Sequence, residues 1–185
     1  KLLENGFSIF VVDSFSNSSS KIIEKIQDYL KQKLPHAYNS FHFFVGDVRD
    51  FSLLNRVFNF SKQIGKNIEA VIHLAGLKSV NESINKPLLY WDNNLCGALV
   101  LLKAMKAHNC NTFVFSSSAA IYDQSDNEKI TENTKINPIN PYGQTKAAIE
   151  KLLKDIYSSD PDNWRIANLR YFNPLGAHPS GVIGE

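Results

Sequence analysis

Short apolar runs alternate along the chain with longer segments in which apolar residues recur every three or four positions. The runs fall at residues 7–12, 41–45, 70–74, 112–115 and 165–169, and the longer segments at 22–34, 51–64, 87–108 and 142–157. The first pattern is typical of β-strands and the second of amphipathic helices. The strand runs are continuously apolar, as expected where helices cover both faces of a parallel sheet. The pattern therefore predicts an α/β fold with a doubly wound parallel sheet of Rossmann-like type.

One domain of this kind is expected to cover residues 1–185, with a polar loop at 123–138. The chain does not begin with Met, and residues 1–6 look like the last turn of a helix closed by a C-cap glycine, Gly6. The final residues, 181–185, complete no further element. We therefore expect a sequence truncated at both ends, which lacks a first βα unit and a C-terminal domain.

The amino-acid composition and net charge exclude some classes of function. The chain is 43% hydrophobic and 21% charged, and its 20 Lys+Arg and 18 Asp+Glu are scattered and give a formal net charge of +2. A globular protein with such a balance lacks the basic surface of a nucleic-acid binder or of a protein that binds anionic membranes. Cys96 and Cys110 have no metal-type spacing, and no apolar run reaches the roughly 20 residues that cross a bilayer. We expect a cytoplasmic protein that acts on small molecules, with no metal, nucleic acid or membrane partner.

Acidic residues follow the first two predicted strands. Ligands of doubly wound sheets lie beyond the carboxyl ends of the strands, and an acidic residue after the second strand can accept both ribose hydroxyls of an adenosine, which favours NAD over NADP. Asp13 fits this role because residues 1–6 look like the end of a preceding βα unit, although a helix or turn cap explains Asp13 alone equally well. Asp47 could accept the adenine amino group while Val48 packs on the ring, although residues 46–50 are equally typical of a helix N-cap region. The glycine-rich phosphate loop should lie about 20 residues before the acidic residue, and only 12 residues precede Asp13.

The third strand is followed by Leu74, Ala75, Gly76 and then Lys78. Small residues let the backbone approach a ligand closely, and a lysine at the sheet edge can reach ribose oxygens. An ordinary strand-to-helix turn explains the same residues, so this segment alone leaves both interpretations open.

A serine cluster and a Tyr–Lys pair form the candidate catalytic group. The fourth strand leads into residues 116–118, all serine, and Tyr142 and Lys146 stand four positions apart at the start of a predicted helix. This spacing places both on one helix face, where the ammonium can stabilise a phenolate and make the tyrosine a base near neutral pH. A serine cluster alone usually marks a turn, and a Tyr–Lys pair alone occurs in many amphipathic helices. The combination of Ser118, Tyr142 and Lys146 favours catalysis.

Together these motifs resemble the extended short-chain dehydrogenase/reductase superfamily and, more closely, its UDP-glucose 4-epimerases. The similarity extends over essentially the whole chain. Its most specific part is the segment 170–181, which separates these epimerases from related dehydratases. The matching segments are 11–18, 46–50, 71–78, 90–94, 115–119, 140–143 and 170–181.

The resemblance implies a site for NAD and for a UDP-sugar. The residues that it assigns to NAD are Asp13, Asn17, Ser18, Asp47, Val48, Leu74, Ala75, Gly76, Lys78, Asn93, Ser116, Tyr142, Lys146 and Tyr171. The residues that it assigns to the substrate are Lys78, Ser118, Tyr142 and Asn173.

The same resemblance implies a reaction. Tyr142 would take the proton of the C4 hydroxyl, with Ser118 as a hydrogen-bonding relay and Lys146 as the charge partner, while C4 gives hydride to NAD. Return of hydride to the other face of the resulting 4-keto sugar would interconvert UDP-galactose and UDP-glucose. The family also implies a homodimer through helices 87–108 and 142–157.

Two other functions remain open. A nucleotide-sugar 4,6-dehydratase shares the first oxidation, but the family would then place an Asp–Glu pair where this chain has Ala120 and Ile121. An inactive module that only binds NAD or a nucleotide sugar would have no need of a base paired with a lysine. Because the phosphate loop and the C-terminal domain are missing, we expect the isolated chain to bind NAD weakly and not to turn over.

Overall fold

The computed structural model describes residues 1–122 and 129–181, so part of the predicted polar loop, residues 123–128, lies outside the described residues. Two compact units divide the chain. The first contains Lys1–Asn67 and the segment from Pro174 onward, and the second contains Ile68–Asn173.

The first unit is built on a pair of parallel strands. Strand β1 pairs with β2 over its full length, from Ile9 opposite Phe41 to Asp13 opposite Val45. A helix connects the two strands, as a parallel pair requires. The elements are β1 (Ile9–Asp13), α1 (Lys21–Lys33), β2 (Phe41–Val45) and α2 (Phe51–Gln63), with 3₁₀ turns at Leu3–Asn5 and Pro35–Ser40.

Helix α2 supplies most of the core of this unit. The Asp50 side chain accepts a hydrogen bond from the Leu53 N–H and so caps the first turn of α2. The buried apolar side chains of the unit are Leu30, Ala37, Leu53, Leu54, Val57 and Phe58. Gly6 closes the Leu3–Asn5 turn in the left-handed conformation, at φ 83°, as the sequence predicts for a C-cap glycine.

The second unit contains a parallel three-stranded sheet in the order β3-β4-β5. Central strand β4 is paired with β3 up to His73 opposite Phe115, and with β5 up to Ser118 opposite Tyr171. The elements are β3 (Ala70–His73), α3 (Val80–Asn85), α4 (Pro87–Tyr90), a π-helical segment (Trp91–Cys96), α5 (Gly97–Ala107), β4 (Thr112–Ser118), a 3₁₀ turn (Ala119–Ile121), α6 (Pro141–Ser159) and β5 (Arg165–Tyr171).

Alternate residues of β4 form the centre of the second core. Phe113, Phe115 and Ser117 are buried, while the residues between them are half-buried. Helices α5 and α6 add further fully buried side chains, among them Met105 and Leu153. The carboxyl end of β4 thus meets the start of α6 above this core, which fixes the positions of the serines and of the Tyr–Lys pair.

The α/β class and the parallel pairing are confirmed, and the strands lie in two parallel sheets, one in each unit. The helical stretch predicted for 87–108 is confirmed over Pro87–Ala107, although its α-helical hydrogen bonding is interrupted by the π-helical segment between α4 and α5. The interruption lies where a polar residue, Asn94, is fully buried in the helix face. Helix α3, which begins after the capping side chain of Ser79, was not predicted. No helix within residues 1–122 and 129–181 is long and apolar enough to cross a membrane.

Candidate functional site

Ser118 ends strand β4 and begins the turn that follows it. Its Oγ accepts a hydrogen bond from the Ala120 N–H at 3.2 Å, which starts the 3₁₀ turn Ala119–Ile121. Tyr171, another predicted site residue, is its partner on β5. The predicted relay therefore lies at the carboxyl end of the central strand, where the fold places ligands.

The first turn of α6 packs against that same 3₁₀ turn. Buried Asn140 caps the helix, because its Oδ1 accepts the Gly143 N–H at 2.8 Å. A Cβ on Gly143 would collide with the Ala120 carbonyl oxygen and would lie 2.9 Å from the Pro138 Cβ. Only glycine permits this close approach, which brings the turn that carries Tyr142 against the residues that follow Ser118.

Lys146 lies in a nearly closed environment between α6 and β4. Lys146 is only 5% exposed, and its Nζ donates a hydrogen bond to the Ser116 carbonyl oxygen at 2.7 Å. The same Nζ lies 4.8 Å from the ring centre of Phe115 and 5.8 Å from that of Tyr142. Burial lowers the pKa of Lys146 to about 8, so the side chain is still mostly charged at neutral pH. The structure thus brings Lys146 and Tyr142 together as the spacing predicts.

A buried histidine that the sequence analysis did not single out lies beside this group. His73 ends β3, is 4% exposed and stacks on Phe115 with 6.1 Å between ring centres. Burial lowers the pKa of His73 to about 4, and the positive charge of Lys146 adds to the effect. The imidazole is therefore neutral at physiological pH, so it adds no second positive charge beside Lys146.

Asn94 is the second residue that sequence reasoning missed, since that reasoning selected half-buried Asn93. The Asn94 Oδ1 accepts the Leu77 N–H at 2.8 Å, and its Nδ2 donates to the Leu77 carbonyl at 3.0 Å and to Thr145 Oγ1 at 3.2 Å. Thr145 in turn donates to the Tyr142 carbonyl at 2.7 Å. Asn94 therefore links the loop after β3 to the helix that carries the Tyr–Lys pair. The sequence feature that could have identified Asn94 is its position four residues after Tyr90 and four residues before Ala98, both of which are buried on one helix face.

The loop after β3 holds the other predicted cofactor residues of the second unit. Leu74, Ala75 and Lys78 are exposed, and Gly76 is half-buried. A Cβ on Gly76 would lie 3.2 Å from Asn94 Oδ1 and 3.8 Å from Lys146 Nζ. The glycine thus lets the loop backbone lie close to the buried lysine. Asn173, the predicted substrate contact, is exposed beyond the end of β5.

In the first unit, Asp13 ends β1 with part of its carboxylate engaged. The Oδ1 atom accepts the Phe15 N–H at 2.8 Å and the Ser18 Oγ at 3.2 Å. Among the described residues, no hydrogen bond reaches Oδ2. Asn17 lies exposed in the same turn. A carboxylate oxygen at a strand end with no internal partner fits the adenosine ribose of NAD, which offers two hydroxyl donors.

Asp47 is engaged more fully. Its Oδ2 accepts Arg49 Nη2 at 2.6 Å, while its Oδ1 accepts Arg49 Nε at 2.9 Å and the Arg49 N–H at 2.8 Å. The hydrogen bond from Arg49 lowers the pKa of Asp47, which stays ionised. The N-cap interpretation of this segment applies to Asp50, and contact of Asp47 or half-buried Val48 with adenine stays a prediction.

The known proteins that this chain resembles are named as enzymes of nucleotide sugars. The family model described as GDP-mannose 4,6 dehydratase matches residues 1–183. UDP-glucose 4-epimerase 1 of Oryza sativa subsp. japonica is 45% identical over 185 residues, all of this chain and 49% of the relative. The UDP-glucose 4-epimerase of Bacillus subtilis (strain 168) is 42% identical over 185 residues, all of this chain and 51% of the relative.

A solved structure that resembles this chain is also a UDP-glucose 4-epimerase. UDP-glucose 4-epimerase from Bifidobacterium longum, in complex with NAD+ and UDP, aligns with a TM-score of 0.86 and 44% identity over all of this chain and 51% of that one. The chain therefore spans about half the length of the relatives that it matches.

Proposed function

The chain belongs to the family that the GDP-mannose 4,6 dehydratase model describes, and we propose that it is the NAD-binding part of a UDP-glucose 4-epimerase, which interconverts UDP-galactose and UDP-glucose. The observation that carries the proposal is the buried ammonium of Lys146, which bonds the Ser116 carbonyl near the end of β4 and lies 5.8 Å from the ring centre of Tyr142 on α6. Relatives at 42–45% identity that bear this name support it.

Residues 1–185 would form the cofactor domain. Asp13, through its Oδ2, would accept the hydroxyls of the adenosine ribose, with Asn17 and Ser18 beside it. Asp47 and Val48 would contact the adenine. The residues proposed for the nicotinamide end are Leu74, Ala75, Gly76, Lys78, Asn93, Ser116, Tyr142, Lys146 and Tyr171.

Tyr142 would act as the base. Its phenolate would take the proton of the C4 hydroxyl, and the charge of Lys146, held by the Ser116 carbonyl, would stabilise that phenolate. Bound NAD would supply a reversible hydride acceptor for the C4 carbon. The 4-keto sugar so formed has no stereochemistry at C4, and Tyr142 would return its proton to the C4 oxygen when hydride comes back to the other face.

Ser118 would hold the C4 oxygen during this transfer, and Lys78 and Asn173 would contact the UDP-sugar. Ser118 Oγ accepts the Ala120 N–H, so its own proton is directed away from that backbone group and remains to be donated. The buried, low-dielectric surroundings of Lys146 strengthen each of these charge interactions.

The 4,6-dehydratase alternative needs an acid and a base after the serine strand. Ala120 and Ile121 carry no ionisable group, and Ile121 is fully buried. Neither can move a proton for the elimination of water. This favours epimerisation, even though the matched family model is named after a dehydratase.

The direct test is to incubate the full-length protein that contains this chain with UDP-galactose and NAD and to separate the two UDP-hexoses by chromatography. We expect UDP-glucose to appear, and Tyr142→Phe to lower its rate by at least about 10²-fold. Tyr157→Phe, which alters an exposed tyrosine on the same helix, is the matched control and should keep the wild-type rate. A product lighter by one water would support the dehydratase instead.

We also propose a cytoplasmic homodimer. The free cysteines Cys96 and Cys110 are consistent with a reducing compartment. Exposed apolar residues near the predicted helical interface, Ile84, Leu88 and Leu89, support association of two copies. Sedimentation of the full-length protein as a dimer is expected, and a monomer at micromolar concentration would contradict it.

A further inference from the structure

A buried carboxylate on α6 joins this helix to both neighbouring strands. Glu150 is 6% exposed, and its Oε1 accepts Ser117 Oγ of β4 at 2.5 Å. Arg170 of β5 donates to the same carboxylate from Nε at 3.0 Å and from Nη2 at 2.7 Å. Arg170 Nη1 donates further to the Tyr122 hydroxyl at 2.9 Å and to the Glu132 carbonyl at 3.1 Å. We call the four side chains of Ser117, Tyr122, Glu150 and Arg170 the Glu150 clamp.

The Glu150 clamp adjoins the proposed catalytic residues without containing any of them. Ser117 lies between Ser116, whose carbonyl holds Lys146, and Ser118. Glu150 follows Lys146 by four residues and so lies on the same face of α6. Tyr122 ends the turn against which Gly143 packs.

A gain in folding stability alone does not explain why Glu150 and Arg170 form a charged pair at this position. The buried Glu150 carboxylate loses its hydration and Arg170, whose side chain is 19% exposed, loses most of its own, so an apolar pair of similar volume is often at least as stable. The hydrogen bonds that Arg170 donates to Glu150 raise the pKa of Arg170, so the guanidinium remains charged. What a charged pair offers over an apolar one is direction, because the two-point contact between guanidinium and carboxylate fixes both groups in distance and angle.

We propose that the Glu150 clamp holds α6 and the end of β4 in the register that sets Tyr142 and Lys146 against Ser118, so that Glu150 and Arg170 are positioning residues for proton transfer at C4. This inference rests on the proposed epimerase function. A misplacement of about 1 Å in such a group can cost about 10²-fold in rate.

The test compares single and paired variants of the full-length enzyme. Glu150→Gln leaves Arg170 charged without its partner, which should lower both Tm and kcat. The paired variant Glu150→Gln/Arg170→Met removes both charges, so Tm should recover and NAD affinity should equal that of the wild type. We expect its kcat to stay about 10- to 100-fold below wild type, with KM for UDP-galactose changed by less than about threefold.

Two further variants act as controls. Asp155→Asn removes a carboxylate from the exposed side of the same helix, where Asp155 pairs with Lys151 at 2.6 Å, and should leave kcat and Tm unchanged. Ser117→Ala removes one hydroxyl and leaves the Glu150–Arg170 pair intact, so it should fold and lose kcat by about threefold or more.

Recovery of kcat together with Tm in the paired variant would overturn the inference, because the clamp would then serve stability alone. If the paired variant fails to fold, Ser117→Ala decides, and an unchanged kcat in that variant overturns the inference. An inactive wild-type enzyme is a different result, since it removes the proposed function on which the inference rests.

Discussion

Lys146 shows most clearly, at the scale of a single residue, that the proposed chemistry opposes stability. Its ammonium is almost completely buried and is compensated by one carbonyl and by two aromatic rings, Phe115 and Tyr142, instead of a carboxylate. Burial without a counter-ion is what lowers the pKa of Lys146 to about 8. A fold selected only for stability would place an apolar residue here.

Lys146→Met should therefore abolish turnover and stabilise the protein at pH 7. Since the folded pKa of about 8 lies below the ordinary 10.5, the folded state binds this proton less tightly than the unfolded state. The wild type gains stability as pH rises from about 8 to about 10.5, and the variant lacks this contribution. Urea unfolding of the cofactor-free, full-length protein at pH 7 and pH 9.5 measures both effects.

In that comparison, the difference in unfolding free energy between variant and wild type should shrink at the higher pH. A Lys146→Met variant that is less stable than wild type at pH 7 contradicts this account of Lys146.

The elements of the fold were largely predictable from the sequence, because strand and helix periodicity depends on burial that each segment shows by itself. The parallel strands and α6 follow the apolar pattern within a few residues. The π-helical segment Trp91–Cys96 was not predictable from local sequence. Its residue Asn94 points inward and bonds Leu77 and Thr145, which are distant in sequence. The roles of His73 and Glu150 likewise arise only from packing between elements.

Gly143→Ala tests the contact between two elements, α6 and the 3₁₀ turn Ala119–Ile121. The new Cβ would collide with a backbone carbonyl, which cannot move aside as a flexible side chain can. We expect α6 to shift away from the end of β4, with a loss of roughly 1–3 kcal/mol in unfolding free energy and at least about tenfold in kcat.

Chemical denaturation and steady-state kinetics of the full-length protein measure these losses. Gly65→Ala is the control for a glycine substitution without a collision, since nothing lies within 4 Å of its Cβ position, although its φ of 68° adds a backbone strain that Gly143 does not have. It should reduce stability slightly and leave kcat unchanged. A Gly143→Ala enzyme with wild-type kcat would show that this close contact does not position Tyr142.

At the scale of the whole molecule, the proposed NAD site calls for a glycine-rich phosphate loop about 20 residues before Asp13, and 12 residues precede Asp13 in this chain. Residues 1–12 contain one glycine, Gly6, and it closes a turn. A dinucleotide site takes much of its affinity from backbone N–H groups around the pyrophosphate. We therefore expect residues 1–185 alone to bind NAD far more weakly than the full-length protein and to show no turnover.

Titration calorimetry of both proteins with NAD tests this expectation, and Asp13→Asn in the full-length protein should weaken binding of NAD. Equal affinity in the short and the full-length protein would mean that residues 1–185 suffice to bind the cofactor.

The central claim is that hydride leaves C4 and returns to it within one active site. The most direct measurement is incubation of the full-length protein with NAD and UDP-galactose that carries deuterium on C4, followed by NMR and mass analysis of the product. We predict UDP-glucose of unchanged mass with the deuterium retained on C4. Loss of the label to solvent, or a product lighter by one water, would contradict the account.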